Sequence, residues 1–152
     1  MTRAKPRLTG FARVLHYADA MSQRAILIDD YMTESPFTIG REQTLATAKQ
    51  LMRQHRTRHL PVLHGGRLVG LLSQRDVHLV EALPDVDPEK ITVEEAMTEE
   101  PYAVAPGTPL AEVARVMAEH KYGAAVVMRG NEVIGVFTTV DALRALSDAL
   151  SR

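Results

Sequence analysis

The sequence contains no cysteine, which excludes disulfides and thiolate metal sites and accords with a reducing cytosol. Aromatic residues make up only 5% of it, too few for the stacking platforms that bind single-stranded nucleic acid. Charge of neither sign dominates. The formal net charge is −1, so there is no general electrostatic pull toward nucleic acid or an anionic membrane. No apolar run is long enough to span a bilayer. The basic residues Arg3, Lys5 and Arg7 are not followed by a signal-peptide core, because Arg13, His16, Asp19 and Arg24 interrupt the segment. The expectation is a cytoplasmic protein with neither a nucleic-acid nor a membrane partner. P-loop lysine motifs and a nucleophile–base–orienter set are also missing, so no enzyme activity and no obligatory cofactor are expected. Of the six histidines, His55 and His59 are four apart. They would chelate only if one helix ran through both, and a strand beginning near Leu60 breaks it. No metal site is expected.

What the chain does contain is a repeat. Asp30-Tyr-Met-Thr-Glu-Ser-Pro-Phe returns as Glu95-Ala-Met-Thr-Glu-Glu-Pro-Tyr. In the same register Leu45 meets Leu110, Met52 meets Met117, His55 meets His120, Gly65 meets Gly130, Gly70 meets Gly135 and Asp76 meets Asp141, each pair 65 positions apart. No gap is needed. Such a duplication means two like units sharing a core, because a unit of roughly 60 residues buries too little surface to stand comfortably alone. Two like units also create two related clefts between them.

The pattern assigns the same elements to each copy. Before the repeat, Phe11, Val14, Leu15, Ala18 and Met21 recur at helical spacing from Gly10 to Arg24. In the first copy, Asp29 to Met32 reads as a helical turn, and Pro36 forces extended chain into Phe37–Ile39. Thr44 caps a helix with the stripe Leu45, Ala48, Leu51 and Met52. A strand over Leu60–Leu63, a turn at His64-Gly65-Gly66, a second arm over Arg67–Leu72 and a helix over Ser73–Ala82 complete it. Pro84, Asp87 and Pro88 mark a linker. The second copy repeats the order, with helices over Thr108–Lys121 and from Thr138, and strands over Ala124–Met128 and Glu132–Phe137. The expected division is an arm and helix over 1–27, one unit over 28–83, a linker over 84–93 and a second unit over 94–152.

Met-Thr-x-x-Pro, an amphipathic helix, Leu60-Pro61-Val62-Leu63, a glycine turn, Gly70-Leu-Leu-Ser73-x-x-Asp76 and a closing helix together resemble a cystathionine-β-synthase-type (CBS) domain. The second copy supplies Met97-Thr98, Val126-Val127, Gly130 and Gly135-Val-Phe-Thr138-x-x-Asp141. The fold class expected is therefore α/β, two tandem β-α-β-β-α CBS domains packed as a pseudo-twofold pair behind an N-terminal helix. Two in tandem resemble the stand-alone pair called a Bateman module. The resemblance implies regulatory binding of an adenosine-containing ligand in the cleft between the domains. AMP, ADP or ATP is the first expectation, with S-adenosylmethionine or NAD also open. It further implies a homodimer that reports to a regulated protein.

Ser73-x-x-Asp76 and Thr138-x-x-Asp141 read two ways. As local chemistry they are helix caps, with the acid suiting the helix dipole. As the resemblance implies, the aspartate receives both ribose hydroxyls, the hydroxyl residue holds sugar or phosphate, and helix-start amides assist. The copies diverge in their cations. Arg58 and His59 match positions at which, as the resemblance implies, phosphate is contacted, whereas their partners Gly123 and Ala124 cannot do this; Arg75 lies beside Asp76, where the second copy has Val140. The Asp76 cleft is thus the expected nucleotide site. Arg56, Arg58 and His59 equally suit a solvated helix end. Phe37, Thr38, Tyr102, Ala103 and Tyr122 are the candidate adenine walls, and each also fits plain core. The alternative function is a ligand-free dimerisation scaffold that docks a partner.

Overall fold

The structure is a computed structural model that describes residues 24–152. Apart from Arg24, the helix expected over Gly10–Arg24 lies outside the described residues. The chain opens with a 3-10 turn at Ile28–Asp30, followed by β1 (Thr33–Glu34), β2 (Ile39–Gly40), α1 (Leu45–His55), β3 (His59–His64), β4 (Arg67–Ser73) and α2 (Gln74–Glu81). The second copy runs α3 (Val93–Ala96), β5 (Thr98–Glu99), β6 (Ala103–Val104), α4 (Leu110–His120), β7 (Ala124–Arg129), β8 (Glu132–Thr138) and α5 (Thr139–Leu150). No helix among these residues is long and apolar enough to cross a membrane.

Each element has a local cause. The Thr44 hydroxyl accepts from the Thr47 N–H at 3.2 Å, relieving one free amide at the start of α1. That helix buries Leu45, Ala48 and Met52, the inward face that its spacing dictates. It ends where Arg56 turns left-handed (φ 50°) and its N–H returns to the Met52 carbonyl. The β3–β4 hairpin closes through Gly65 (φ 56°) and Gly66 (φ 77°), a pair of positive φ angles that glycine adopts without steric penalty.

Two four-stranded sheets result, in the orders β2-β3-β4-β5 and β1-β8-β7-β6. The short strand opening each copy joins the other copy's sheet. β1 pairs antiparallel with β8 (Thr33 opposite Val136), and β5 pairs antiparallel with β4 (Thr98 opposite Leu71). The two registers are identical under the 65-residue repeat, so they express the pseudo-twofold directly. Sequence periodicity did not reveal these two-residue strands.

The cores follow the same exchange. One contains Ile39, Leu45, Leu60, Val62, Leu72 and Val77 from the first copy, closed by Val93 from the second. The other contains Leu110, Val113, Met117, Ala125, Val127 and Phe137, closed by Ile28 from the first. Full burial of such side chains is worth about 1.5–3 kcal/mol each. The chain around Val93 is held by backbone bonds, Val93 N–H to Gln43 O at 2.8 Å and Leu45 N–H to Ile91 O at 2.9 Å. Its counterpart is held likewise, Ile28 N–H to Thr108 O and Leu110 N–H to Ile26 O, both at 2.9 Å.

Candidate functional site

β4 ends and α2 begins at Ser73, whose hydroxyl accepts from the Asp76 N–H at 3.0 Å. Asp76 Oδ2 accepts in return from the Ser73 N–H at 2.9 Å. This reciprocal cap fixes the carboxylate at the mouth of the helix. Asp76 is half-buried, and its Oδ1 receives no hydrogen bond from the described residues. The cap and a ligand contact are therefore compatible, because they use different oxygens.

Asp76 also lines a cleft of about 450 Å³. The first copy contributes His59, Leu71, Ser73, Arg75, Asp76 and Leu79, and the second contributes Thr98, Glu100, Pro101, Tyr102, Lys121, Tyr122, Gly123 and Ala124. The crossing of β5 onto β4 brings Thr98 to Tyr102 here. A smaller pocket of about 360 Å³ adjoins it, sharing His59, Ser73 and Arg75 and adding Arg58, Gln74 and His78.

Of the residues singled out in the sequence, His59, Ser73, Arg75, Asp76, Tyr102 and Tyr122 thus converge, with Arg58 at the adjoining pocket. The Tyr102 and Tyr122 rings stack with centroids 5.5 Å apart. Burial pushes the Tyr102 hydroxyl above its usual value of 10.0. The helix-start amides are less available than the sequence suggested, because the Gln74 N–H is already donated to the Arg58 carbonyl at 2.8 Å.

Phe37, Thr38, Ala103, Thr138 and Asp141 are not among the residues that line this cleft. Phe37 stacks on His55 with centroids 3.4 Å apart. Thr38 precedes β2 half-buried, and Ala103 is exposed on β6. Asp141 is 4% exposed and both its oxygens are engaged. Oδ2 accepts from the Thr138 N–H at 2.9 Å and the Thr138 hydroxyl at 3.1 Å, and Oδ1 accepts from Arg144 at 3.4 Å. The two copies share a cap but not an available carboxylate oxygen.

Lys121 escaped the sequence reading as a site residue. It brings a cation to the cleft from the opposite copy and adopts a left-handed conformation (φ 58°). The signal was present in its repeat partner Arg56, also basic and also left-handed. Glu100 adds a carboxylate to the same lining. Arg75 and Lys121 are thus offset by Asp76 and Glu100. His59 is held below its usual value of 6.5, chiefly by burial, with Arg58 acting in the same direction and the Asp76 and Asp141 carboxylates opposing. Such a lining suits a ligand with hydroxyl donors for Asp76, a flat apolar part for the tyrosines and an anionic group for the cations.

Comparison with known proteins places this geometry in context. The chain is 33% identical over 118 residues to an inosine-5′-monophosphate dehydrogenase of Korarchaeum cryptofilum, of which it spans only 22%. It is 29% identical over 120 residues to Hypoxic response protein 1 of Mycobacterium tuberculosis, covering 78% of this chain and 84% of that one. It superposes on the CBS domain pair of protein MJ0100, solved in complex with 5′-methylthioadenosine and S-adenosyl-L-methionine, with a TM-score of 0.71 and 25% identity over 80% of this chain and 99% of that one. The family model for the CBS domain matches twice, at residues 28–80 and 93–148, and the chain belongs to that family as a tandem pair.

Proposed function

We propose that this CBS pair is a regulatory sensor, not an enzyme, and that it binds an adenosine-containing ligand in the Asp76 cleft. The observation that carries the reading is the convergence of Ser73, Arg75 and Asp76 with Tyr102, Lys121 and Tyr122 from the other copy around one cleft of about 450 Å³. The free Asp76 oxygen accepts ribose hydroxyls as charge-assisted hydrogen bonds. The stacked Tyr102 and Tyr122 rings offer the base an aromatic wall. Arg75 and Lys121 take an anionic group, with Arg58 and His59 at its edge. AMP, ADP or ATP fits this division of roles, and the adenosyl ligands of the MJ0100 pair support S-adenosylmethionine as a further member of the class. Because both copies line the cleft, the ligand favours one arrangement of the pair, and a cytoplasmic homodimer reports that arrangement to a regulated protein.

The test is thermal unfolding with AMP, ADP, ATP, S-adenosylmethionine and NAD, each at about 1 mM. A ligand present at a hundredfold its dissociation constant stabilises by about 2.7 kcal/mol, a rise of several degrees. Asp76→Asn keeps an acceptor for the Ser73 N–H and removes the charge. It is expected to weaken binding by about 1.5–3 kcal/mol, the worth of a hydrogen bond to a charged group. If none of the five ligands shifts the wild type, the ligand-free scaffold replaces this reading.

A further inference from the structure

The two copies differ most where their paired helices face away from the sheets. In the first copy, Lys49 of α1 and Glu81 of α2 form an ion pair across the gap between the helices. The 65-residue repeat puts Ala114 and Leu146 at those positions. The gap between α4 and α5 is accordingly a mainly apolar groove of about 700 Å³, lined by Ala111 and Ala114 of α4, by Ala145, Leu146 and Ala149 of α5, and by Arg152. Leu143, Leu146 and Leu150 of α5 are each more than half exposed. Of these, Leu146 lines the groove, so the groove adds to an exposed apolar surface.

The chain itself leads there. Arg24, Ala25 and Ile26 line the groove, and the Ile26 carbonyl accepts from the Leu110 N–H at the start of α4. The described chain therefore begins at the groove. The residues preceding Arg24 carry Phe11, Val14, Leu15, Ala18 and Met21 at helical spacing. A helix from Gly10 to Arg24 would be about 22 Å long, against about 18 Å for α5. In the first copy the equivalent approach is made by the polar linker before Ile91, and there the gap between the helices is a smaller pocket of about 190 Å³ with the charged and polar side chains of Lys49, Arg53, Gln74 and His78 in its lining. Small alanine side chains along both helices leave room for large ones from outside, as ridges fill a groove.

We propose that the apolar stripe of residues 10–21 covers the α4–α5 groove of its own chain, making this groove an intramolecular docking surface. This inference is independent of ligand binding at Asp76.

The absence of cysteine allows a direct test in the full chain. Single variants Ala111→Cys and Ala149→Cys report the groove, and Glu132→Cys at the exposed start of β8 is the reference. A maleimide is expected to label the two groove positions at least about tenfold more slowly than the reference, as a covered surface that opens only locally would be. Adding Phe11→Asp and Leu15→Asp should bring both rates up to the reference, with no change in oligomeric state by light scattering. The milder Phe11→Ala with Leu15→Ala should give an intermediate rate if the aspartates impair folding. Reference-rate labelling with the natural stripe would overturn the proposal. So would protection that survives loss of the stripe, whether it disappears on dilution, which identifies a second copy as the cover, or not.

Discussion

Asp76 and Asp141 hold the same position in the two copies and differ in their remaining oxygen. At Asp141 the guanidinium of Arg144 takes it, whereas at Asp76 the corresponding residue is Leu79, which lines the cleft instead. His59 is a second residue at which the copies part, since its partner is the buried Ala124. Its Nε2 lies 3.7 Å from where a Cβ on Gly123 would stand, at the seam between the copies. Because burial lowers its folded value below the unfolded 6.5, the unfolded chain binds the proton more readily. The stability this contributes is present above pH 6.5 and is lost as pH falls toward the folded value. Urea midpoints at about pH 7.5 and about pH 5.5 should therefore drop more for the wild type than for His59→Gln. An equal drop in both would place the acid sensitivity elsewhere. The aspartates and their caps were legible from Ser73-x-x-Asp76 and Thr138-x-x-Asp141. Which carboxylate stays available was not, because Arg144 and Leu79 act through spatial neighbourhood.

At the scale of elements, the crossing strands hold the pair together. The Met97 thioether lies over Gly70 on β4, and the Met32 thioether lies over Gly135 on β8. A Cβ at Gly70 would meet the Met97 sulfur and the Thr98 carbonyl, the latter at 3.0 Å. The glycine is needed for this close approach rather than for an unusual φ. Gly70→Ala is expected to destabilise by about 1–3 kcal/mol, the range for overpacking. Gly70→Ala combined with Met97→Ala should cost less than the sum of the two single changes, because one relieves the clash of the other. Denaturant unfolding of the four proteins measures the coupling, and strict additivity would show that the contact is not the cause. The long helices and hairpins were readable from spacing and turn glycines. The two-residue strands β1 and β5 were not, since a run that short has no period and its pairing is decided by a partner about 100 residues away in one case and about 27 in the other.

For the whole molecule, a pseudo-twofold frame carries two chemically unequal positions, the Asp76 cleft and its repeat equivalent around Asp141. The cleft with the free carboxylate also has Arg75, Lys121 and the stacked tyrosines. Around Asp141 the equivalents are Val140, Arg56 and a Phe37 already stacked on His55. Isothermal titration of the proposed ligand should give one site per chain. Asp141→Ala should leave that site intact while costing about 1–2 kcal/mol of stability through loss of the cap. Two sites of equal affinity would refute the inequality. The α/β class, the duplication and the family were already contained in the order and spacing of residues, because helix stripes, caps and glycine turns are local and the 65-residue repeat states the symmetry outright. Tertiary packing alone assigned Val93 and Ile28 to each other's cores, brought Lys121 opposite Asp76, and left an apolar groove on only one copy. Those outcomes depend on which surfaces meet after the strands exchange, and burial and electrostatic pairing between distant residues leave no periodic trace along the chain.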